Sequence, residues 1–405
     1  MWRIVIILLA LGGWQVESAA VLPLVPGAST RVFPSPHARS IAYHRAVRVN
    51  SHTDYFVCVG DADGEPTCYP PPQELPSGFE PDPNSHFRPF SWSPDGATLA
   101  VVGQPLVNLN DTDLWLLDVA TGGWTSLTDD GYEGALAGST LPAGVSVEVQ
   151  PVWSPDGTQI AVERIPINEQ GEFAPSTLSL VDAATGAVRD LAPLAGSVTG
   201  MDWSRSTLAV SLRHPGGLDA SSDGISLVDV ERGEIETLVS VEEAESALQT
   251  VYPDVALEFI GPLSWSPDGS RLLFWAGNST TTPIVTWPFW VTLDNGEITA
   301  LALPAHPNDS GARRALRPLQ AAWSPDGTAL LVFAIGLHPD EPVTPLDPSG
   351  ERARGGLRLI DVAAGTDTLL GNLPLGPATA FYIATWGPDS DAIINGYHVV
   401  MTSSD

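Results

Sequence analysis

The stretch Trp92-Ser93-Pro94-Asp95-Gly96, followed by the aliphatic run Leu99-Ala100-Val101-Val102, decides the fold of this chain. In such a stretch the proline presets φ for a turn and the aspartate suits the next turn position. The glycine accepts the positive φ that lets the following strand pair back. The tryptophan ends the first strand with a ring large enough to pack between neighbouring sheets. The stretch therefore predicts a strand, a tight turn and a second strand.

The same pattern recurs along nearly the whole chain. Strict copies start at Trp153, Trp265 and Trp323, and degenerate copies are centred on Phe33, Trp203 and Trp386. The seven aromatic markers are 50 to 63 residues apart. Repeats of a supersecondary unit at such a period are the signature of a solenoid, a propeller or a related array.

Each repeat also contains a second hairpin, in which a strand ends at Asp and a short turn follows with Gly. Examples are Leu114–Asp118 with Gly122, Leu178–Asp182 with Gly186, Ile225–Asp229 with Gly233, and Leu357–Asp361 with Gly365. Each repeat thus supplies four antiparallel strands, A to D outward from the axis. The sequence predicts an all-β fold, a β-propeller of four-stranded blades. Seven blades are favoured by the seven markers, and six is the alternative.

These repeats resemble those of the TolB translocation protein and related WD-like exported propellers. They also resemble the propellers of prolyl-oligopeptidase-type peptidases. The resemblance rests on the Trp-Ser-Pro-Asp-Gly copies and implies the propeller fold. Because the matching residues are turn and packing positions, it implies no particular ligand. The Gly-x-Ser-x-Gly motif of the peptidases' hydrolase domain is absent from the sequence, which argues against a serine hydrolase.

The N-terminus has the pattern of a secretory signal over residues 1–20. Arg3 is followed by the apolar run Ile4–Gly13 and by the small residues Ser18-Ala19-Ala20. The expected division is therefore a signal peptide at 1–20 and a single propeller domain at 21–405. The last repeat is too short for four strands, so we expect an N-terminal strand to complete its blade. The expected location is periplasmic or extracellular, with no membrane span in the mature chain.

The charge of the chain narrows the class of partner. The formal net charge is -30, and all 18 basic residues are Arg. A field this acidic repels phosphate backbones, which argues against nucleic acid, and it attracts cations and basic proteins. The sequence has no phosphate-binding loop, dinucleotide fingerprint or paired metal-ligand spacing, so no cofactor or metal is expected.

Cys58 and Cys68, the two cysteines of the chain, flank the turn Asp61–Gly64 at equal distances from its middle. This placement puts them opposite each other on adjacent strands, and an exported protein meets an oxidising compartment. The sequence favours a disulfide over two free thiols.

Candidate ligand-binding residues fall in two groups. Arg88, Glu148, Glu258 and Arg317 stand just before inner strands, and Trp287, Trp290, Arg313 and His338 lie in or beside the longer connections. Six of the eight histidines are predicted in these connections, namely His44, His52, His86, His214, His306 and His338. No residue is assigned a catalytic role.

In a propeller the A–B and C–D turns share one face of the disc, here called the tight-turn face. The D–A and B–C connections form the opposite, long-connection face. Its predicted segments are 71–86, 129–148, 241–260 and 304–318 for D–A, and 164–176, 213–223, 276–288 and 336–355 for B–C. Long loops on a rigid scaffold usually carry binding residues. The leading hypothesis is a non-catalytic exported propeller that binds a protein, a glycan or an envelope component through this face. The alternative is a propeller lyase or glycoside hydrolase with a polar site over the central channel, in which two carboxylates act as acid and base.

Overall fold

The repeats fold as seven four-stranded antiparallel sheets. The computed structural model describes residues 14–21, 28–36, 40–49, 52–61, 65–70, 90–102, 113–132, 142–213, 223–250, 253, 255–278, 285–301, 317–336, 354–374, 384–386, 391–394 and 397–403. Among these, the predicted all-β propeller and its seven blades are confirmed.

The strands follow the predicted order, with each blade running outward from its marker. The N-terminal strand is β1 (Trp14–Val21). Blade 1 contains β2 (Ala28–Pro34), β3 (Ser40–Val49), β4 (His52–Asp61) and β5 (Thr67–Tyr69). Blade 2 contains β6 (Phe90–Trp92), β7 (Thr98–Val102), β8 (Leu114–Asp118) and β9 (Trp124–Ser126). Blade 3 contains β10 (Ser146–Trp153), β11 (Gln159–Pro166), β12 (Thr177–Asp182) and β13 (Val188–Pro193).

The second half of the ring repeats the same unit. Blade 4 contains β14 (Ser197–Ser204), β15 (Thr207–Arg213), β16 (Gly224–Asp229) and β17 (Ile235–Ser240). Blade 5 contains β18 (Phe259–Trp265), β19 (Arg271–Asn278), β20 (Val285–Thr292) and β21 (Glu297–Ala300). Blade 6 contains β22 (Arg317–Trp323), β23 (Ala329–Gly336), β24 (Arg354–Asp361) and β25 (Thr366–Pro374). Blade 7 contains β26 (Ala384–Trp386), β27 (Asp391–Ile394) and β28 (Tyr397–Ser403).

The fourth strand of blade 7 comes from the opposite end of the chain. β1 pairs antiparallel with β28, with Trp14 opposite Ser403 and Val21 opposite Tyr397. All of this strand except Val21 lies within the predicted signal segment 1–20, so cleavage after Ala20 would remove it from blade 7. Residues 1–13 of that segment lie outside the described part of the chain. Within the described residues, no helix has the length and apolar character needed to cross a bilayer.

The marker tryptophans of the four strict copies join their inner strands to the blade before. They are almost fully buried, and their indole Nε1 groups donate to backbone carbonyls on the preceding inner strand. The pairs are Trp92 with Phe33 at 2.9 Å, Trp153 with Ser91 at 3.0 Å, Trp265 with Asp202 at 3.1 Å, and Trp323 with Ser264 at 3.1 Å. In the degenerate copy, Trp203 donates instead to the carbonyl of Arg205 in its own turn. The repeat motif thus supplies both the core ring and a hydrogen bond between blades.

The Ser-Pro-Asp-Gly turn is held by its own side chains. In blade 3, Ser154 Oγ donates to Asp156 Oδ1 at 2.7 Å and accepts the backbone N–H of Gln159 at 2.9 Å. Gly157 has φ +71°, the left-handed value that the turn needs. The same bonds recur in the other strict copies. Such turns leave little surface that can vary.

A disulfide joins Cys58 and Cys68, which confirms the prediction. The two residues are directly opposite each other in the β4–β5 pair, and their Cα atoms are 4.0 Å apart. The bond therefore closes the outer hairpin of blade 1.

Two histidine placements correct the sequence interpretation. His44 lies in β3 and His52 in β4, not in connections, because these paired strands are ten residues long and extend past the motif. The His44 side chain is 1% exposed, and its ring centroid is 4.3 Å from that of Phe90. It is therefore a core residue of blade 1.

One helix interrupts the all-β pattern, in the connection from blade 4 to blade 5. Helix α1 (Val241–Gln249) begins with a capping box, in which Ser240 Oγ accepts from the Glu243 N–H and the Glu243 carboxylate accepts from the Ser240 N–H. Val241, Ala244 and Leu248 form its buried face. This connection is thus folded against the disc.

Candidate functional site

The two faces of the disc differ in what they present. Because the strands of each blade alternate in direction, the Ser-Pro-Asp-Gly turns and the Asp-to-Gly turns lie together on the tight-turn face. The connection from blade 2 to blade 3 and the β11–β12 connection meet on the opposite face. We call this region the blade 3 corner, made of residues 128–132, 144–148, 164 and 166–175. All of these residues lie within the described part of the chain.

Glu148, one of the predicted binding residues, lies at the centre of this corner and is fully buried. Its Oε1 accepts from Ser146 Oγ at 2.9 Å and lies 3.2 Å from Arg164 Nε. Arg164 Nε in turn donates to Ser146 Oγ at 2.9 Å. The Glu148 carboxylate therefore fixes the guanidinium of Arg164, whose side chain remains 31% exposed at the surface.

A second carboxylate approaches Glu148 through a shared hydroxyl. Thr128 Oγ1 is 3.2 Å from Glu148 Oε2 and 3.4 Å from Asp113 Oδ1, and it accepts the N–H of Leu114 at 2.8 Å. A hydroxyl has one proton to donate, so it satisfies one of the two carboxylates at a time. Asp113 and Glu148 thus form a linked acidic pair between blades 2 and 3.

Burial is the main influence on the charge state of Glu148. Desolvation of the buried carboxyl raises its pKa, and the nearby Asp130 carboxylate raises it further. The Ser146 hydroxyl, the Arg164 guanidinium and the Thr128 hydroxyl lower it. The net direction is upward. The Arg164–Glu148 pair is consequently a buried polar network that orders the corner, since Glu148 has no exposed surface with which to contact a ligand.

An ordered hairpin projects beyond these residues. β11 continues into Ile167, whose N–H donates to the Val145 carbonyl at 2.9 Å and which forms a bridge with Phe173. Asn168 Oδ1 closes the tip by accepting the N–H groups of Gln170 and Glu172 at 2.9 and 3.0 Å. The base packs Val145 and Ile167 against Tyr132. Phe173 itself is 62% exposed.

The other described candidates lie in blade 5 and do not join this cluster. Glu258 is half-buried just before β18, and its N–H donates to the Gly277 carbonyl at 2.8 Å. Trp287 packs, partly buried, against the core between blades 4 and 5. Trp290 is 6% exposed, with its ring centroid 6.5 Å from that of Trp323. Blade 4 stands between Glu148 and Glu258.

The remaining candidates cannot be placed as side chains. Arg88, Arg313 and His338 lie outside the described residues, and Arg317 is described only as the first residue of the β22 backbone. Within the described residues, no group of three or more His, Cys, Asp or Glu side chains could hold a metal ion.

Three residues that the sequence interpretation missed shape this corner: Thr128 and Arg164 belong to its polar network, and Phe173 lies on its surface. Thr128 and Arg164 gain their roles only when blades 2 and 3 pack together, so no local pattern marks them. The exposure of Phe173 is not predictable from the sequence either, because an aromatic residue in a connection can equally well be buried. The Asn168–Gly171 turn is the one local feature that indicates a structured loop.

Asp202 is a further titratable group outside the corner. Its Oδ2 accepts the N–H of Trp265 at 2.7 Å, and its Oδ1 accepts the N–H of Trp203 at 2.9 Å. Burial raises its pKa to about 6, against the lowering effect of these two N–H groups. The carboxylate is enclosed by protein although the residue as a whole keeps some exposed surface. Because both hydrogen bonds to its carboxylate come from backbone N–H groups, we assign Asp202 a structural role.

The fold and this corner define a seven-bladed β-propeller with one elaborated face. No family profile matches the chain, and no curated protein matches it. Among solved structures, the chain is similar to the RRP9 WD40 repeats, with 10% identity and a TM-score of 0.54, over 94% of this chain and 90% of that one. It is similar to an oligogalacturonate lyase in complex with manganese, with 13% identity and a TM-score of 0.51, over 100% and 97% of the two chains. A protein assigned as TolB from Agrobacterium tumefaciens matches with 18% identity and a TM-score of 0.40, over 78% and 90%. At such identities the first two likenesses establish the fold alone.

Proposed function

We propose that this protein is a non-catalytic propeller, exported to the periplasm or the extracellular space, that binds a protein, glycan or envelope component through its long-connection face. The observation that carries the proposal is the contrast between the two faces. One face repeats the same self-bonded turn in blade after blade. The other raises an ordered hairpin with an exposed aromatic ring in blade 3. Rigid elaboration of one face of a scaffold is typical of a binding surface.

The buried network beneath the hairpin supports this proposal. Glu148, Ser146, Thr128 and Arg164 hold the strand ends from which the connections leave, so the loops start from fixed positions. Pre-ordered loops lose less conformational entropy on binding.

The linked carboxylates favour an enzyme as the second candidate. Asp113 and Glu148 share Thr128, and paired carboxylates with opposed protonation are what a propeller lyase or glycoside hydrolase would use as acid and base. Both side chains are buried, at 7% and 0% exposure, which leaves them no surface for a substrate in this arrangement. The binding function is therefore the better supported one.

The test is a pull-down from the native envelope or culture fluid, with the exported protein as bait. A variant with Arg313→Glu and Arg317→Glu should lose the retained partner, because both positions fall in the predicted connections of the long-connection face. A matched variant with Thr98→Ala and Thr158→Ala, beside the tight turns, should retain it. Loss of the partner from the second variant alone would place binding on the tight-turn face and overturn the proposal.

A further inference from the structure

We propose that the blade 3 corner is a docking surface for a cationic protein segment, one in which Arg or Lys side chains surround an apolar side chain. This rests on the proposed function and names the chemistry of its partner. Two observations support the proposal: an exposed ring on an ordered hairpin, and the sign of the charges on that hairpin. A site on the opposite face serves as the control.

Phe173 is exposed to solvent, and hydrogen bonds fix the backbone of the hairpin that carries it. It pairs with Ile167 across the hairpin, and Asn168 closes the turn with two hydrogen bonds to backbone N–H groups. The N–H of Ala174, immediately after it, donates to the Pro166 carbonyl at 2.8 Å. A ring whose backbone is fixed in this way loses little freedom on binding and offers an apolar face for a partner to cover.

The exposed charged groups of this hairpin and of the connection that adjoins its base are acidic. Glu169 and Glu172 are exposed in the same hairpin, and Asp129 and Asp130 are exposed in the adjoining connection. Asp130 is tied to the hairpin base, since its Oδ2 accepts the N–H of Ser146 at 3.0 Å. The described basic side chain of the corner is Arg164, and its charge is offset by the buried Glu148 at 3.2 Å.

This arrangement selects the sign of the partner. A guanidinium or ammonium group over the Phe173 ring gains a cation–π contact and lies within reach of Glu169 and Glu172. A carboxylate or phosphate in the same place would be repelled by Glu169 and Glu172 of the same hairpin, in a protein whose net charge is -30. The corner therefore fits a basic protein segment and disfavours an anionic glycan.

The same net charge makes a control essential, because any basic peptide is attracted to a chain this acidic. The tight-turn face offers a close match to the corner in residue type. Ile235, the other exposed large hydrophobic residue among those described, is 41% exposed there. Glu231 and Glu234 lie in the same turn, together with Arg232, whose charge is paired with Asp229 at 3.6 Å. A loss at Phe173 that Ile235 does not share separates a docking surface from general attraction.

The experiment measures binding of a short synthetic peptide of alternating Arg and Leu to the full chain at about 50 mM salt, where surface charges are weakly screened. Four variants are compared with the parent: Phe173→Ala, Glu169→Gln with Glu172→Gln, Ile235→Ala, and Glu231→Gln with Glu234→Gln. All six substituted positions are exposed, and an unchanged thermal unfolding midpoint confirms that each variant is folded. A peptide of alternating Glu and Leu tests the sign of the charge.

We expect the two corner variants to weaken binding about tenfold each and the two tight-turn variants to leave it within about twofold. The Glu-Leu peptide should not bind. Equal losses from both faces, or unchanged binding by Phe173→Ala, would overturn the docking proposal. If that happens while the Arg313 and Arg317 variant still loses the native partner, the docking proposal fails and the proposed function stands. If the corner binds the peptide but the native partner is lost only from tight-turn variants, the proposed function is the one that fails.

Discussion

Asp202 and Trp265, which lie at the ends of two neighbouring inner strands, are joined by two hydrogen bonds that Trp265 donates and Asp202 accepts. The Asp202 carboxylate accepts the Trp265 N–H at 2.7 Å, and the Trp265 indole donates to the Asp202 carbonyl at 3.1 Å. The other strict copies of the motif keep the indole bond, and their inner strands have no aspartate at the equivalent position. Blades 4 and 5 are thus linked by a titratable group.

This link predicts a pH-dependent stability. Folding raises the pKa of Asp202 from 3.8 to about 6, so the folded state holds the proton more tightly than the unfolded chain does. The stability contributed by this group is fully present below pH 3.8 and is lost as the pH rises through about 6. Relative to Asp202→Asn, which does not titrate, the parent should lose about 3 kcal/mol of unfolding free energy across that window.

The measurement is chemical denaturation of both proteins at a series of pH values. Trp265→Phe is the control, because it removes the indole bond and leaves the carboxylate in place. It should be less stable than the parent at every pH and keep the same pH dependence. Parallel curves for the parent and Asp202→Asn would show that Asp202 titrates alike in the folded and unfolded states.

The side-chain bonds of the repeated turn should be measurable one at a time. Ser154→Ala removes the hydroxyl that donates to Asp156 and accepts from Gln159, and it leaves a buried N–H without that partner. We expect the free energy of unfolding to fall by about 1–2 kcal/mol. Thr158→Ala, at an exposed position of the same turn, should change it by less than about 0.5 kcal/mol. Equal effects from the two variants would mean that the turn does not depend on its buried serine.

The Cys58–Cys68 disulfide should make a small contribution to stability. It closes a loop with a sequence separation of 10 residues, so it restricts the unfolded chain only modestly. The Cys58→Ser, Cys68→Ser double variant should lose about 2–3 kcal/mol or less of unfolding free energy. Thiol titration of the non-reduced parent should find no free thiol. Two reactive thiols in that sample would exclude the bond.

A serine-directed probe tests the expectation that this protein is not a serine hydrolase. The chain has no Gly-x-Ser-x-Gly motif, and the described serines of the repeats are engaged in turns. We therefore expect no labelling by a fluorophosphonate. A stoichiometrically labelled serine, identified by mass spectrometry, would contradict this expectation.

The sequence predicts those parts of this molecule whose structure is set by a short, repeated run of residues. The marker tryptophans, the Ser-Pro-Asp-Gly turns and the cysteine pair each carry their structure within a few residues, and all were found where expected. Helix α1 was missed although its capping box, Ser240 with Glu243, and its apolar spacing, Val241 with Ala244 and Leu248, were readable. It was missed because the segment belongs to no repeat.

The candidate site was predictable only in part, for a different reason. Glu148 was selected because polar residues before inner strands lie near the long-connection face. Its partners Thr128 and Arg164 come from a neighbouring blade and a neighbouring strand, and their roles arise when those elements pack. The exposure of Phe173 depends on the hairpin standing clear of the disc, which a single sequence pattern does not encode.

The central claim is that binding takes place on the long-connection face, and paired mutagenesis against the native partner tests it most directly. The quantity to measure is the affinity of the purified partner for two sets of variants. Phe173→Ala and the Glu169→Gln, Glu172→Gln pair belong to the long-connection face, and Ile235→Ala and Thr158→Ala belong to the tight-turn face. The account predicts that the first set weakens binding about tenfold or more while the second leaves it within about twofold. Loss of affinity confined to Ile235→Ala and Thr158→Ala would contradict it.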